Sequence, residues 1–294
     1  MTFFVETEIA SQPECWDRAL GVAAESAALL PQSGERVAFV GCGTSWFMSQ
    51  VAAAWWEGQQ KGEADAFTAA EFPYARRYDR IVTITRSGTT SEVLDLLQRV
   101  RGQVPTTVLL GDQATPAAEL ADNVVDLAFA DEKSVVQTRF ATTVLAVLRA
   151  NAGVDTSTLV EQARAALAVE LPAEWAEADQ VTFVGQNWTV GLANEAALKF
   201  RESSSSWAES YPAMDYRHGP ISIAAPGRLV WSFGVAPEGL ADQVAATGAT
   251  FVQHDLDPMA DLVAAQRLAI ARAIGLGLNP DQPRNLTRSV VLDA

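Results

Sequence analysis

Three apolar runs recur early in the chain: Val37-Ala38-Phe39-Val40, Arg80-Ile81-Val82-Thr83-Ile84 and Thr106-Thr107-Val108-Leu109-Leu110. They are continuous rather than alternating, the pattern of strands buried on both faces of a parallel sheet. Segments of helical character separate them, over residues 46–59 and 90–101. Strand and helix in alternation predict βαβ units and an α/β fold, a doubly wound parallel sheet flanked by helices.

The pattern then returns. Val181-Thr182-Phe183-Val184-Gly185 echoes Val37-Ala38-Phe39-Val40-Gly41 at an offset of 144 residues, and Arg228-Leu229-Val230-Trp231 echoes Arg80-Ile81-Val82-Thr83 at 148. Thr250-Phe251-Val252 stands near the place of Thr107-Val108-Leu109. Near-constant spacing over three strands points to an internal duplication. The expected organisation is a helical lead-in over 1–30, a first domain over 31–160, a second over 161–278 and a tail over 279–294. Pro280 and Pro283 exclude a helix at the start of the tail. Leu286 to Leu292 is too apolar for a free end, so the tail is expected to fold back on the body.

Composition narrows the class. Of 294 residues, 49% are apolar and 19% charged, which supports a sizeable core and excludes a disordered or coiled-coil chain. A net charge of −15 repels a phosphodiester backbone, so no nucleic-acid partner is expected. The first residues carry Glu6, Glu8 and Glu14 and no base, the wrong charge for a signal peptide. The uncharged stretch 37–56 is interrupted by Gly41, Gly43, Thr44, Ser45, Ser49 and Gln50, so it is not read as a membrane span. Two cysteines, Cys15 and Cys42, make no disulfide framework, and a cytoplasmic protein with no membrane partner is expected. Two histidines and two cysteines without paired ligand spacing predict no metal site, and His254-Asp255-Leu256-Asp257 is too weak a cluster to change that.

The strand–loop–helix turns carry the candidate chemistry. After the first strand comes Gly41-Cys42-Gly43-Thr44-Ser45; after the second comes Thr85-Arg86-Ser87-Gly88-Thr89-Thr90. Glycines let the backbone turn tightly and approach a ligand, and each loop opens a helix whose N-terminus favours an anion. The ordinary reading of such hydroxyls is as N-caps. Two hydroxyl-rich loops in adjacent βα turns favour a phosphate cradle instead. The matching loop of the second half, Gly234-Val235-Ala236-Pro237-Glu238, has no hydroxyl, so the cradle belongs to one half only. No Gly-Lys-Ser/Thr follows, so this is not a nucleotide P-loop.

A second cluster follows. A helix over residues 192–205 sets Glu195, Lys199 and Glu202 on one face. Its ordinary reading is a solvated salt-bridge ladder. His218-Gly219-Pro220 lies soon after, and a carboxylate with an imidazole can supply the base and acid that move protons on a sugar.

These motifs in order, with Asp281-Gln282-Pro283-Arg284-Asn285-Leu286 in the tail, resemble the tandem SIS (sugar isomerase) family, and within it the isomerase half of glucosamine-6-phosphate synthases. The resemblance runs from about residue 35 to the C-terminus. It implies two SIS domains, each a three-layer αβα sandwich, and a homodimer with active sites at the subunit interface. It implies a hexose or hexosamine 6-phosphate held by Thr44, Ser45, Thr85, Arg86, Ser87 and Thr90. Glu202 matches the base that shuttles a proton between C1 and C2. His218 matches the histidine that assists ring opening from the partner subunit. Lys199 and Glu195 match residues lining the sugar site, and Val135 falls where the domain closes over the sugar. No metal or redox cofactor is implied.

The departures matter too. No glutaminase domain is present, so the chain is not expected to release ammonia from glutamine. Arg288 stands where those synthases have a tail lysine; a guanidinium makes no Schiff base but can bind an anion. Arg86 stands where they have glutamine, and Gln137-Thr138-Arg139 replaces Ser-Thr-Lys. The expected function is aldose–ketose isomerisation of a sugar 6-phosphate or amino-sugar 6-phosphate, with deamination as the nearest variant. A fructosamine 6-phosphate deglycase and a non-catalytic sugar-phosphate regulator remain the alternatives.

Overall fold

The computed structural model describes residues 2–292. The chain forms two compact units. The first gathers Ser11–Lys133, Gln137–Val160 and the tail from Thr287; the second gathers the N-terminal segment to Ala10, Ser134–Val136 and Glu161–Leu286. The lead-in supplies one helix to each, α1 (Phe4–Ala10) to the second unit and α2 (Gln12–Glu25) to the first.

The first unit runs β1 (Val37–Gly41), α3 (Thr44–Gly58), β2 (Ala64–Thr68), β3 (Arg80–Thr85), α4 (Ser91–Val100), β4 (Thr106–Leu110), α5 (Pro116–Leu120), β5 (Asn123–Asp126) and α6 (Arg139–Ala152). Its sheet has the order β2-β1-β3-β4-β5, and every pair is parallel. The continuous apolar runs become β1, β3 and β4, buried along their whole length. In α4, Val93, Leu96, Leu97 and Val100 repeat at helical spacing and are all buried, packing with Val40, Ile81, Val108 and Leu110 of the sheet. Each such side chain stabilises the unit by ~1.5–3 kcal/mol. Its opposite face is polar, with Arg99 Nε 3.0 Å from the Asp95 carboxylate. Helices α2 and α6 are joined by a buried relay: the Trp16 indole donates to Thr142 Oγ1 at 2.9 Å, and Thr142 donates to Gln12 Oε1 at 2.6 Å.

The chain enters the second unit along α7 (Leu159–Ala168) and continues through α8 (Ala173–Ala176), β6 (Gln180–Gly185), α9 (Thr189–Ser204), β7 (Ala208–Pro212), β8 (Arg228–Phe233), α10 (Leu240–Ala246), β9 (Thr250–Val252) and α11 (Pro258–Gly275). Its sheet has the order β7-β6-β8-β9, again all parallel. The core is aromatic, with Phe183 at 5.4 Å from Phe200 and 6.2 Å from Trp231 between ring centroids.

The two sheets repeat one order, and the repetition reaches single contacts. A Cβ on Gly41 would lie 2.5 Å from Ser45 Cβ, and a Cβ on Gly185 would lie 2.4 Å from Thr189 O. Each strand can turn into its helix only because glycine leaves that space empty. In both sheets the first strand lies between the second and third, which makes a switch point where neighbouring βα loops diverge and leave a crevice. In the first unit that crevice opens between the loops after β1 and β3. Among the described residues no helix is long and apolar enough to cross a membrane.

Candidate functional site

The first unit presents its hydroxyls at the switch point. Thr44, Ser45, Thr85 and Ser87 are all buried. Thr85 Oγ1 accepts the Gly88 N–H at 3.2 Å and Ser87 Oγ accepts the Thr89 N–H at 3.2 Å, which fixes the turn. Gly88 has φ +63°, and a Cβ there would stand 2.0 Å from Thr115 Oγ1. The ordinary reading of these hydroxyls as caps does not describe them. Gly43 precedes α3 and Thr90 precedes α4, and neither makes a side-chain cap bond. Two helix N-termini thus meet the crevice without capping side chains, the arrangement that attracts an anion. Cys42 lies in the same loop, but burial pushes its thiol pKa up, so it is not a ready nucleophile.

Arg86 and Arg288 have protein partners instead of open anion sites. Arg86 is 2% exposed; its Nη1 is 3.8 Å from Glu132 Oε2, and its Nη2 donates to the Arg288 carbonyl at 3.1 Å. Glu132, which the motifs did not single out, accepts the N–H groups of Thr138 at 2.6 Å and Arg139 at 2.9 Å, and the Thr138 hydroxyl at 2.8 Å. It therefore places a buried carboxylate at the N-terminus of α6, where the helix dipole favours it. Arg288 donates to Asp131 Oδ1 at 2.5 Å and to the Glu132 carbonyl. The apolar tail is attached through such polar groups and not by burying its side chains: Val290 and Leu292 remain 53% and 62% exposed.

The second unit holds the candidate proton-transfer group. Helix α9 aligns Glu195, Lys199 and Glu202, and the ladder is buried, not solvated. Lys199 Nζ lies 3.3 Å from Glu195 Oε1 and 2.5 Å from Glu202 Oε2. The Lys199 and Glu195 side chains are 2% and 0% exposed, whereas that of Glu202 is 19% exposed. Burial opposes the charge on Lys199, yet the two carboxylates together outweigh it and its pKa is raised. The ammonium is therefore permanent at neutral pH. Of the two carboxylates, only Glu202 has access to solvent, across a cleft of about 30 Å³ lined by Ser203, Asn279, Gln282 and Arg284 among others.

His218 ends a short 3₁₀ turn after β7 and is exposed; it does not line the cleft at Glu202. Val135 donates its N–H to the Asp281 carbonyl at 3.0 Å. The Asp281 carboxylate accepts the N–H groups of Phe4 at 2.8 Å and Val5 at 2.9 Å, capping α1. His254 pairs with the carboxylate of Asp261 at 2.7 Å, and the Trp231 indole donates to the same carboxylate at 2.9 Å. Asp261 is buried and His254 half-buried, with its ring against Trp175 and Trp231. Among the described residues no group of three or more His, Cys, Asp or Glu is placed to hold a metal ion.

Comparison with known proteins gives these observations a context. Glutamine–fructose-6-phosphate aminotransferase (isomerizing) of Bradyrhizobium diazoefficiens is 27% identical over 360 aligned positions, covering 99% of this chain. The chain spans 59% of that relative's length. The structure of glucosamine-6-phosphate deaminase from Thermotoga maritima superposes with a TM-score of 0.77 at 24% identity, covering 97% of this chain and 99% of that one. The C-terminal domain of glucosamine-fructose-6-phosphate aminotransferase from Francisella tularensis gives 0.81 at 21% identity, covering 96% and 99%. These two structures share the α/β fold of this chain, and residues 29–152, which carry both hydroxyl-rich loops, match the SIS domain family.

Proposed function

We propose that the protein is a phosphosugar isomerase that interconverts an aldose and a ketose 6-phosphate, and that releases ammonia when the substrate is an amino sugar. The observation that carries this reading is the asymmetry on α9: a buried cation pairs two carboxylates, and of the two only Glu202 keeps solvent exposure. The phosphate is held by Thr44, Ser45, Thr85, Ser87 and Thr90 at the two helix N-termini. Each hydrogen bond to a charged group contributes ~1.5–3 kcal/mol. The repeated sheet order and the Gly185–Thr189 contact support reading the second unit as a second SIS domain that has kept the fold but lacks hydroxyls in the loop after β8, Gly234–Glu238.

In the mechanism, the ring opens with proton transfer assisted by His218. Its exposure and its absence from the Glu202 cleft favour donation from a partner subunit in a homodimer. Glu202, held by the Lys199 ammonium, takes the C2 proton of the open-chain aldose. The electron pair left at C2 forms the C1–C2 double bond of an enediol, and the carbonyl oxygen takes a proton. Glu202 then returns its proton to C1, and the C2 hydroxyl loses its own proton as the ketone forms. With an amino group at C2 the same steps give a 2-imine; water adds to it and ammonia leaves. Lys199 holds the base in place and Glu195 balances its charge. A cytoplasmic setting fits such a substrate.

The test is a panel of hexose and hexosamine 6-phosphates scored for ketose formation and ammonia release. Turnover of at least one is expected. Tight binding of a sugar phosphate with no turnover of any would replace this reading with that of a sugar-phosphate regulator.

A further inference from the structure

The tail from Thr287 lies along the loop that carries Ser87 and Thr89, and its contacts form one connected set. Ser289 Oγ is 2.9 Å from Thr89 Oγ1. The Val290 carbonyl accepts the Ser91 N–H at 3.1 Å, and Ser91 Oγ accepts the Leu292 N–H at 2.9 Å. Ser91 is the first residue of α4, so its N–H has no partner within the helix and is bonded to the tail.

The tail is held at its other end by charge. The Arg288 guanidinium spans the Asp131 carboxylate and the Glu132 carbonyl, while the Arg288 carbonyl is held by Arg86. That anchor is itself rigid. Glu132 is fixed by the first amides of α6 and by Arg86, and the Arg139 guanidinium donates to the Asp131 carbonyl. A planar, forked guanidinium can serve two oxygens at once, which a lysine ammonium does less well.

We infer that residues 288–292 are a strap clamped by Arg288 and Arg86 onto Asp131–Glu132, and that the strap brings the Ser289 hydroxyl into the phosphate cradle as a further ligand beside Thr89. Arg86, Arg288 and Glu132 are then positioning residues, and Ser289 is the group that meets the phosphate. The second half of this inference rests on the proposed function; the clamp does not.

Two readouts on the full chain separate them. Amide hydrogen exchange at Ser91, without ligand, reports the strap directly. Arg288→Ala is expected to speed it by ~10-fold or more, Arg288→Lys by less, and Ser289→Ala only slightly. Calorimetry with glucose 6-phosphate and fructose 6-phosphate reports the cradle. Ser289→Ala and Arg288→Ala are both expected to weaken binding ~10-fold or more, the loss of one hydrogen bond to a charged group. Unchanged exchange in Arg288→Ala overturns the clamp. Faster exchange with unchanged affinity in both variants overturns the role of Ser289. If the unsubstituted protein binds neither sugar phosphate, the role of Ser289 falls with the proposed function, and the exchange rate still decides the clamp.

Discussion

Lys199 Nζ stands 2.5 Å from Glu202 Oε2 on the same face of α9. The ammonium also lies 3.3 Å from Glu195, whose side chain has no solvent exposure. One cation thus serves two carboxylates of different accessibility, and this divides their work. Glu195 holds the lysine, and the lysine holds the Glu202 carboxylate at the edge of the cleft. Removing the cation with Lys199→Met strips a counter-charge from a fully buried carboxylate. It is expected to cost ~3–5 kcal/mol in denaturant unfolding.

The same pair sets a pH dependence. The folded-state pKa of Lys199 is raised above the ordinary 10.5. A group raised on folding contributes its full stability below the unfolded value and loses it as pH rises through the folded value. The stability gap between the unsubstituted protein and Lys199→Met should therefore not close as pH rises through neutrality, and should close only above about pH 10.5. A gap that closes as pH rises from 6 to 8 would contradict the raised pKa.

The loop after β3 makes a comparison between two glycines. Gly88 and Gly43 both have positive φ, but a Cβ on Gly88 would strike Thr115 whereas one on Gly43 meets nothing within 4 Å. Gly43→Ala is expected to carry only the backbone strain of ~1–3 kcal/mol. Gly88→Ala should cost more and also weaken sugar-phosphate binding, because the turn that aims Ser87 must move. Equal melting temperatures for the two variants would contradict the tight approach.

Ser87→Ala combined with Thr90→Ala is expected to cost ~0.5–1.5 kcal/mol of stability, because Ser87 Oγ accepts the Thr89 N–H, and to weaken binding of a sugar-phosphate analogue. Each lost bond to the phosphate is worth ~1.5–3 kcal/mol. Affinity equal to that of the unsubstituted protein would place the phosphate elsewhere.

Much of this was legible in the sequence, for physical reasons. Strands β1, β3, β4, β6 and β8 are buried almost throughout, so their apolar runs are visible. Strands β2, β5 and β7 were not legible. They lie at sheet edges, their residues are mostly half-exposed, and Ala64-Asp65-Ala66-Phe67-Thr68 and Ala208-Glu209-Ser210-Tyr211-Pro212 carry charge where a core strand would not. The α9 cluster was legible as a spacing, but burial decides its meaning, and spacing alone reads equally as a solvated ladder. The capping roles of Glu132 and Asp281 left no signal because they act on backbone amides, which every residue offers. Arg86 and Arg288 were legible as cations; only the fold shows that Asp131 and Glu132 are their anions.

His218 tests the proposed dimer. Glu202→Gln and His218→Ala subunits, each inactive alone, are mixed under conditions that exchange subunits. Partial recovery of isomerase activity is expected if the two residues act across an interface. Demonstrated exchange without recovery would place both in one subunit's site.

The proton shuttle of Glu202 is tested most directly by C2 deuterium exchange in heavy water with a hexose 6-phosphate that the protein turns over. Glu202→Gln keeps size and hydrogen bonding but cannot accept the proton, and loss of a general base costs roughly 10²–10⁴-fold. Glu202→Gln is expected to bind the substrate nearly normally and to lose exchange by that factor, while Glu195→Gln retains it. Exchange that survives in Glu202→Gln and disappears in Glu195→Gln would contradict the assignment.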